Sequence, residues 1–187
     1  MHSERLRYDP AEPANLDAFH RLVQDEHVRR YMMDGAVCSR EWSTERMRAS
    51  QALFESRGVG TWLAYDWSTD ELVGFCGFES SPGRPDPQLV YVMFERFAGR
   101  GFATEMARAA IAQARTQPGF AEIAADVDEI NAASVRVLEK LGFERVALQP
   151  GALGNLLLLR LAAGDASCAV RYPVNRTGCR SRASASD

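Results

Sequence analysis

The sequence lacks closely spaced cysteines, long apolar runs and a strong excess of either charge. Cys38, Cys76, Cys168 and Cys179 lie far apart, so they predict neither a zinc site nor a disulfide framework. No apolar run approaches the roughly 18 residues of a membrane span, and the charged first ten residues lack the apolar stretch of a secretory signal. Twenty-two Lys and Arg against 25 Asp and Glu leave a net charge of −3, without the basic excess of a nucleic-acid binder. We therefore expect a cytoplasmic protein with no nucleic-acid or membrane partner.

The 187 residues, 46% of them hydrophobic, are enough for one domain with a full core. We predict that this domain spans residues 1–161. Residues 162–187 are rich in Ala, Ser, Gly and Arg and poor in large aliphatic side chains. Such a segment buries too little apolar surface to offset the entropy of ordering it, which predicts a disordered tail.

The order of the predicted elements indicates the fold class. Helical periodicity and strand-like apolar runs predict helices near 15–31, 43–56, 101–116 and 131–141 and strands near 61–67, 72–78, 88–94, 122–127, 143–148 and 155–161. The body thus begins with helices, and three strands separated by short turns follow as an antiparallel meander. We predict an α/β fold with a mixed, mostly antiparallel central sheet and helices on both faces.

A glycine loop between the third meander strand and the next helix is the most informative segment. Gly99 and Gly101 at a helix start let backbone N–H groups approach an anion such as a pyrophosphate, and Arg100 adds a positive charge. An isolated pair of glycines can also serve only a tight turn. A dinucleotide-binding loop is excluded, because its third glycine position holds Thr104 and antiparallel strands precede it.

Two spaced motifs resemble the GNAT superfamily of N-acetyltransferases. Residues 96–101, Arg-Phe-Ala-Gly-Arg-Gly, match its Gln/Arg-x-x-Gly-x-Gly/Ala signature. About 30 residues later, Asn131-x-x-Ser134 is followed by Leu-Glu-Lys-Leu-Gly-Phe, which is similar to the second signature. The resemblance covers residues 6–161 and is closest to the branch that acetylates ribosomal-protein N-termini. It implies an acyl-CoA N-acyltransferase fold and transfer of acetyl from acetyl-CoA to a primary amine, by direct attack in a ternary complex and without a metal.

The resemblance also implies which residues hold the acetyl-CoA. The backbone of Val92, Met93 and Phe94 would bind the pantetheine arm, and one of these N–H groups would face the thioester carbonyl, as in an oxyanion hole. The pyrophosphate would lie on the N–H groups of Gly99, Arg100, Gly101, Phe102, Ala103 and Thr104. Arg96 occupies the charged signature position, where it can equally be a solvated loop charge.

Asn131 and Ser134 each have two interpretations. Asn131 precedes a helix, where Asn is a preferred N-cap, whereas the family role has its side chain reach the cofactor arm. Ser134 can be an ordinary residue of the first helical turn or the acid that protonates the coenzyme A thiolate. Many relatives use a tyrosine near this point, but none lies between Asn131 and Leu141. This leaves Ser134 or water as the acid.

The base and the acceptor are less defined. Glu79 at a strand end is the first candidate for the base that deprotonates the amine, and Asp128, Glu129 or water are alternatives. Loops near 35–41 and 80–88 are expected to border an acceptor that is a protein N-terminus or a small-molecule amine. The missing tyrosine supports one rival interpretation, a non-catalytic module that binds or senses acyl-CoA. The chain is expected to be a monomer or a homodimer.

Overall fold

A computed structural model describes residues 1–81, 83–151 and 154–163; the remainder of the predicted tail lies outside these ranges. Within them the strands are β1 (Leu6–Pro10), β2 (Thr61–Asp66), β3 (Leu72–Glu79), β4 (Gln88–Met93), β5 (Ile123–Asp128), β6 (Glu144–Gly151) and β7 (Gly154–Leu161). The α-helices are α1 (Leu16–Val23), α2 (Glu26–Met32), α3 (Arg40–Arg57), α4 (Phe102–Ala114) and α5 (Ala132–Lys140). No helix in the described ranges is both long enough and apolar enough to cross a membrane.

The described strands form one sheet in the order β1-β2-β3-β4-β5-β7-β6. Neighbouring strands are antiparallel except β4 and β5, which run parallel. This confirms the predicted mixed, mostly antiparallel sheet. Within the described chain, β4 and β5 pair at one position only, Gln88 opposite Ala124. Beyond this pair the facing edges of the two strands are not joined, so the sheet opens between them.

The central strand β3 is buried on both faces. Successive side chains of a strand point to opposite faces, yet Leu72, Val73, Phe75, Cys76 and Phe78 are all at most 3% exposed. On one face the Phe75 ring lies 5.4 Å from that of Phe19 in α1, between ring centroids. On the other face the Phe78 ring lies 5.3 Å from that of Phe120, in the segment after α4. The fully buried Cys76 is a core residue of this strand.

The prediction that the body begins with helices is wrong, because Leu6–Pro10 forms the edge strand β1 and pairs with β2. Leu6 and Tyr8 point into the core and are at most 2% exposed, whereas Arg7 lies outside and pairs with Asp9. A run of five residues with two inward positions is too short to give a reliable strand pattern, and Pro10 at its end favours a loop.

The predicted first helix is divided into α1 and α2 at Asp25. The Asp25 carboxylate accepts hydrogen bonds from the N–H groups of His27 and Val28, at 3.1 and 3.2 Å, and so caps a new helix. A side chain that satisfies these N–H donors makes a helix start favourable even within an apolar stripe. The predicted end of α5 is confirmed, since Gly142 has a left-handed φ of 89° and the following Phe143 is buried.

Candidate active site

A cleft of about 1030 Å³ lies where the sheet opens between β4 and β5. One side, which we call the loop side, is formed by the loop at 97–101 and the first turn of α4. The other, the α2 side, is formed by α2 and the residues after it, together with Arg46, Glu79 and Asp128, whose carboxylate interacts with that of Asp34. Ligand clefts in proteins typically hold roughly 300 to 1,000 Å³. This cleft is therefore large enough for an extended ligand that enters from the loop side and a second molecule on the α2 side.

The two glycines of the loop are required by the backbone conformation. Gly99 and Gly101 have φ angles of +73° and +82°, in the left-handed region where a side chain is strained. A Cβ atom at Gly99 would meet nothing within 4 Å, and one at Gly101 would meet only Arg5 Nη2, at 3.5 Å. The space over the loop is thus open, as a ligand that approaches the backbone requires.

Residues 99–104 present their backbone N–H groups as a cradle for an anion. Gly101 is the N-cap of α4, and the N–H groups at the start of a helix have no acceptor within it. The N–H groups of Gly99 and Arg100 donate to no backbone carbonyl in the described chain. The helix dipole adds partial positive charge at the same place. This arrangement suits a phosphate or pyrophosphate.

The two arginines of the loop point away from the cleft. The Arg96 guanidinium lies 4.3 Å from the centre of the Phe94 ring and 4.8 Å from that of Phe97. Arg100 lies 4.9 Å from the centre of the Phe102 ring. Neither arginine is among the residues that line the cleft. A direct contact between the Arg96 side chain and a ligand stays a prediction, and the structure shows Arg96 packed on aromatic rings.

The N-terminal segment makes contacts with this loop and with α4 that were not predicted from the sequence. Glu105, in the first turn of α4, accepts hydrogen bonds from Ser3 Oγ at 2.6 Å and from the Arg5 N–H at 2.8 Å. The Arg5 guanidinium binds the same carboxylate and donates to the carbonyl of Arg100 at 2.9 Å. About 100 residues separate the partners, so no local pattern could have revealed the contact.

The edge of β4 that faces the cleft offers the backbone of Met93. The Phe94 N–H donates to the Val73 carbonyl of the neighbouring strand at 3.0 Å. Because antiparallel residues alternate between the two edges of a strand, Val92 also faces β3, whereas Met93 faces β5. This corrects the prediction for Phe94, whose N–H is already bound. Of the three predicted backbone groups, Met93 has the N–H that is directed at the opening.

Asn131 is the N-cap of α5, as one of its two interpretations predicts. Its Oδ1 accepts a hydrogen bond from the Ser134 N–H at 3.1 Å. The residue also lines the cleft, and its Nδ2 has no acceptor in the part of the chain that the structure describes. The two interpretations are therefore compatible, because the cap uses the amide oxygen and leaves the amide nitrogen as a donor.

Ser134 meets a tyrosine from another element. Tyr91, on β4, places its hydroxyl oxygen 2.7 Å from Ser134 Oγ and donates to the Ser134 carbonyl at 3.1 Å. Both residues line the cleft. Burial raises the pKa of Tyr91 to about 12, and the hydrogen bond with Ser134 opposes this shift. The helix that lacks a tyrosine therefore receives a phenol from the neighbouring strand.

Glu79 lies on the α2 side of the cleft in a buried ion pair. Arg46, on α3, donates from Nε to Glu79 Oε1 at 3.0 Å and from Nη2 to Glu79 Oε2. Burial raises the pKa of Glu79, and the charge of Arg46 opposes this. Both carboxylate oxygens are thus engaged by one guanidinium. Such a carboxylate is poorly placed to accept a proton from a second molecule.

Asp128, the last residue of β5, has a carboxylate without a hydrogen-bond partner among the described residues and lines the cleft. Burial and the negative charge of Asp34, which follows α2, raise the pKa of Asp128. Asp34 itself lines the cleft and has a left-handed φ of 51°. Glu129 is different, since it accepts a hydrogen bond from Asn155 at 2.8 Å and lies outside the cleft. Asp128 is the carboxylate with the raised pKa that remains unengaged.

A protein-family model matches most of the chain. The family model described as Acetyltransferase (GNAT) domain matches residues 5–144. The chain belongs to the GNAT acetyltransferases. This match spans the loop, both strands that flank the cleft and α5.

Two relatives are similar in sequence to this GNAT chain. The uncharacterized protein YkkB of Bacillus subtilis is 33% identical over 106 residues, which cover 56% of this chain and 59% of that protein. The match thus spans less than two thirds of the length of YkkB. The uncharacterized N-acetyltransferase p20 of Bacillus licheniformis is 24% identical over 151 residues, which cover 79% of this chain and 84% of that protein.

Solved structures of acetyltransferases share the fold. A ribosomal-protein-S5-alanine acetyltransferase from Vibrio fischeri superimposes with a TM-score of 0.73 at 14% identity, covering 88% of this chain and 97% of that one. An acetyltransferase from Agrobacterium tumefaciens gives 0.69 at 22% identity, covering 86% and 92%. A ribosomal L7/L12 α-N-protein acetyltransferase in complex with coenzyme A gives 0.67 at 17% identity, covering 86% and 95%. At 14% to 22% identity these likenesses show the fold and do not single out the ribosomal-protein branch.

Within the described residues no three His, Cys, Asp or Glu side chains are grouped in a way that could hold a metal ion.

Proposed function

We propose that this GNAT chain transfers an acetyl group from acetyl-CoA to a primary amine by direct attack in a ternary complex. One observation carries the proposal: a single cleft joins an N–H cradle on the loop side to an unengaged carboxylate on the α2 side, with a hydroxyl pair beside them. The coenzyme A in the complex of the ribosomal L7/L12 enzyme supports this choice of acyl carrier. Acetyl-CoA supplies an activated acyl group and a thiol leaving group.

The loop side fits the cofactor. The N–H groups of residues 99–104 would bind the pyrophosphate, because the glycines leave open space above them. Asn131 would donate from Nδ2 to the pantetheine arm while its oxygen caps α5. Met93 would direct its N–H at the thioester carbonyl. A preorganised donor of this kind lowers the barrier by roughly 3 to 4 kcal/mol in a dry site, because it stabilises the oxyanion that develops.

Asp128 is the base in this proposal, in place of the first candidate, Glu79. An amine must lose a proton before its nitrogen can attack, and the carboxylate of Asp128 is open to a second molecule whereas that of Glu79 is held by Arg46. A raised pKa brings a carboxylate closer to the working pH, which makes it a better base. Asp34 and Asp128 together also favour an acceptor that arrives as a cation.

Ser134 is the group next to the leaving sulfur. It lies in the first turn of α5 beside the cleft, within hydrogen-bond distance of Tyr91. The thiol of coenzyme A resembles that of free cysteine, whose pKa is about 8.5, so its thiolate leaves readily. We therefore expect the Ser134 hydroxyl, as a hydrogen-bond donor to the sulfur, to contribute about 10²-fold, the lower end of the range of general acid catalysis.

The test is release of the coenzyme A thiol from acetyl-CoA in the presence of a panel of amines. The panel contains peptides with free N-termini, among them ribosomal-protein N-termini, together with small-molecule amines. We expect acceptor-dependent thiol release by the parent and its loss in Asp128→Asn. The matched control is Glu129→Gln, which removes the adjacent carboxylate outside the cleft and should leave the rate near that of the parent.

Other outcomes would contradict parts of the proposal. Binding of acetyl-CoA without thiol release for any acceptor would favour the rival interpretation of a non-catalytic acyl-CoA module. Full activity of Asp128→Asn together with loss in Glu79→Gln would restore Glu79 as the base. Activity confined to ribosomal-protein peptides would support the predicted branch, whereas activity confined to small amines would refute it.

A further inference from the structure

The contact between Tyr91 and Ser134 links β4 to α5, and both residues line the cleft. The two hydroxyl oxygens are 2.7 Å apart, and the Tyr91 oxygen is 3.1 Å from the Ser134 carbonyl. The residues are 43 positions apart in the sequence. Tyr91 belongs to the strand whose Met93 N–H is directed at the opening, so the hydroxyl pair and the predicted oxyanion donor are parts of one wall.

The hydroxyl protons of Tyr91 and Ser134 can be arranged in two ways. A phenol carries a single proton, and a serine hydroxyl likewise donates once. If Tyr91 donates to the Ser134 carbonyl, the short contact requires Ser134 Oγ to donate to Tyr91, and the serine proton points away from the cleft. If Tyr91 donates to Ser134 Oγ instead, the serine proton is available to an acceptor in the cleft.

We propose that Tyr91 is a positioning residue that holds the Ser134 hydroxyl with its proton directed at the coenzyme A sulfur. The inference rests on the proposed function. A hydroxyl that accepts one hydrogen bond is polarised and donates more strongly to the next acceptor. A ligand sulfur that gains charge therefore selects the second arrangement, in which the two hydroxyls act in series.

The bond changes balance without loss of a proton from either hydroxyl. An acceptor that arrives as an ammonium gives one proton to Asp128, and the free amine then forms the bond to the acyl carbon and loses its second proton to solvent. The carbon–sulfur bond breaks, and its electron pair goes to sulfur, where Ser134 donates a hydrogen bond to the thiolate. The proton held by Asp128 leaves to solvent, and the thiolate takes one up. With a pKa of about 12, Tyr91 stays a neutral donor over the range near 8.5 in which the thiol titrates.

The test measures the pKa of the coenzyme A thiol in its complex with the protein and needs no acceptor. The thiolate is followed by its ultraviolet absorbance, and the same titration with a coenzyme A analogue that lacks sulfur is subtracted. The variants are Tyr91→Phe, Ser134→Ala and the double substitution. The matched control is Tyr65→Phe, which removes a half-buried phenol hydroxyl on β2 outside the cleft.

We expect the parent to lower the pKa of the bound thiol relative to free coenzyme A. Ser134→Ala should raise it by about 1 to 2 units, the equivalent of one hydrogen bond to a charged group. Tyr91→Phe should raise it by roughly half as much, and the double variant should match Ser134→Ala. Fluorotyrosine at position 91, a more acidic donor that keeps the fold, should lower the thiol pKa further. Tyr65→Phe should match the parent.

Several results would overturn the inference. If Ser134→Ala raises the thiol pKa but Tyr91→Phe leaves it equal to that of the parent, Tyr91 only stabilises the contact between β4 and α5. Additive shifts in the double variant would show that the hydroxyls act independently. No shift in either single variant, with coenzyme A still bound, would place the sulfur elsewhere. Two measurements on the parent separate these cases from failure of the proposed function: calorimetry shows whether coenzyme A binds, and thiol release with the panel of amines shows whether acetyl transfer occurs.

Discussion

Gly101 and Gly119 are a matched pair of positions at which cofactor binding can be tested. Both have left-handed φ angles, +82° and +87°. A Cβ atom would meet Arg5 Nη2 at 3.5 Å in the first case and Arg57 Nη2 at 3.6 Å in the second, which are ordinary contacts. Gly101 lines the cleft and Gly119 does not. Substitution by Val therefore strains the backbone similarly at both positions, while only one of them blocks the cradle.

The expected changes in melting temperature follow from the free energy of ligand binding and from the backbone strain at each substituted glycine. Acetyl-CoA at about 100 times its dissociation constant should stabilise the parent by about 2.7 kcal/mol. At about 2 to 4 °C per kcal/mol, the melting temperature should rise by roughly 5 to 11 °C. A residue other than glycine in the left-handed region costs roughly 1 to 2 kcal/mol, so each variant without ligand should melt at least roughly 2 to 8 °C below the parent.

The assay is thermal unfolding of the parent, Gly101→Val and Gly119→Val, each with and without acetyl-CoA. Gly119→Val should keep the ligand-induced rise, whereas Gly101→Val should lose most of it, because a branched side chain within the loop hinders the approach of a phosphate to the N–H groups. A parent that shows no rise at any cofactor concentration would refute the cradle as a cofactor site. Equal loss of the rise in both variants would show that strain, not the position in the cleft, removes binding.

Three further predictions concern the rest of the chain. Asp128→Asn should lower kcat by roughly 10²- to 10⁴-fold. Burial and Asp34 raise the pKa of Asp128, so ionisation of this carboxyl destabilises the folded parent. The melting temperature of the variant should therefore exceed that of the parent by an amount that increases as pH rises through the titration of the carboxyl. Glu79→Gln should lower the free energy of unfolding by roughly 1 to 3 kcal/mol in urea titrations, because Arg46 loses its partner, while reducing kcat less than Asp128→Asn does. Deletion of residues 164–187 should change the same free energy by less than about 1 kcal/mol.

The loop side of the site could be predicted from the sequence because it depends on the backbone. Gly99 and Gly101 occupy positions with positive φ, and a helix starts directly after them. Such conformations restrict the residue type to glycine, so they leave a local signature. The same holds for Gly142 at the end of α5, with a φ of 89°. Each of these features involves residues that are neighbours in the chain.

The α2 side and the hydroxyl pair could not be predicted, because their contacts are between distant segments. Periodicity shows which face a residue occupies, not which residue of another element it meets. Arg46 and Glu79 are 33 positions apart, and Tyr91 and Ser134 are 43 apart. The absence of a tyrosine from α5 therefore suggested that the site lacks a phenol, although β4 supplies Tyr91 beside Ser134.

Specificity for the acceptor amine depends on the α2 side of the cleft and can change independently of the loop side. On the loop side the ligand meets N–H groups, which every residue type except proline provides, so side chains such as those of Ala103 and Thr104 matter little there. On the α2 side the acceptor meets side chains from several elements, among them Asp34 and Asp128. Single substitutions there alter charge or shape without disturbing the loop. Variants that accept a different amine should therefore carry their changes on the α2 side and keep the acetyl-CoA affinity of the parent.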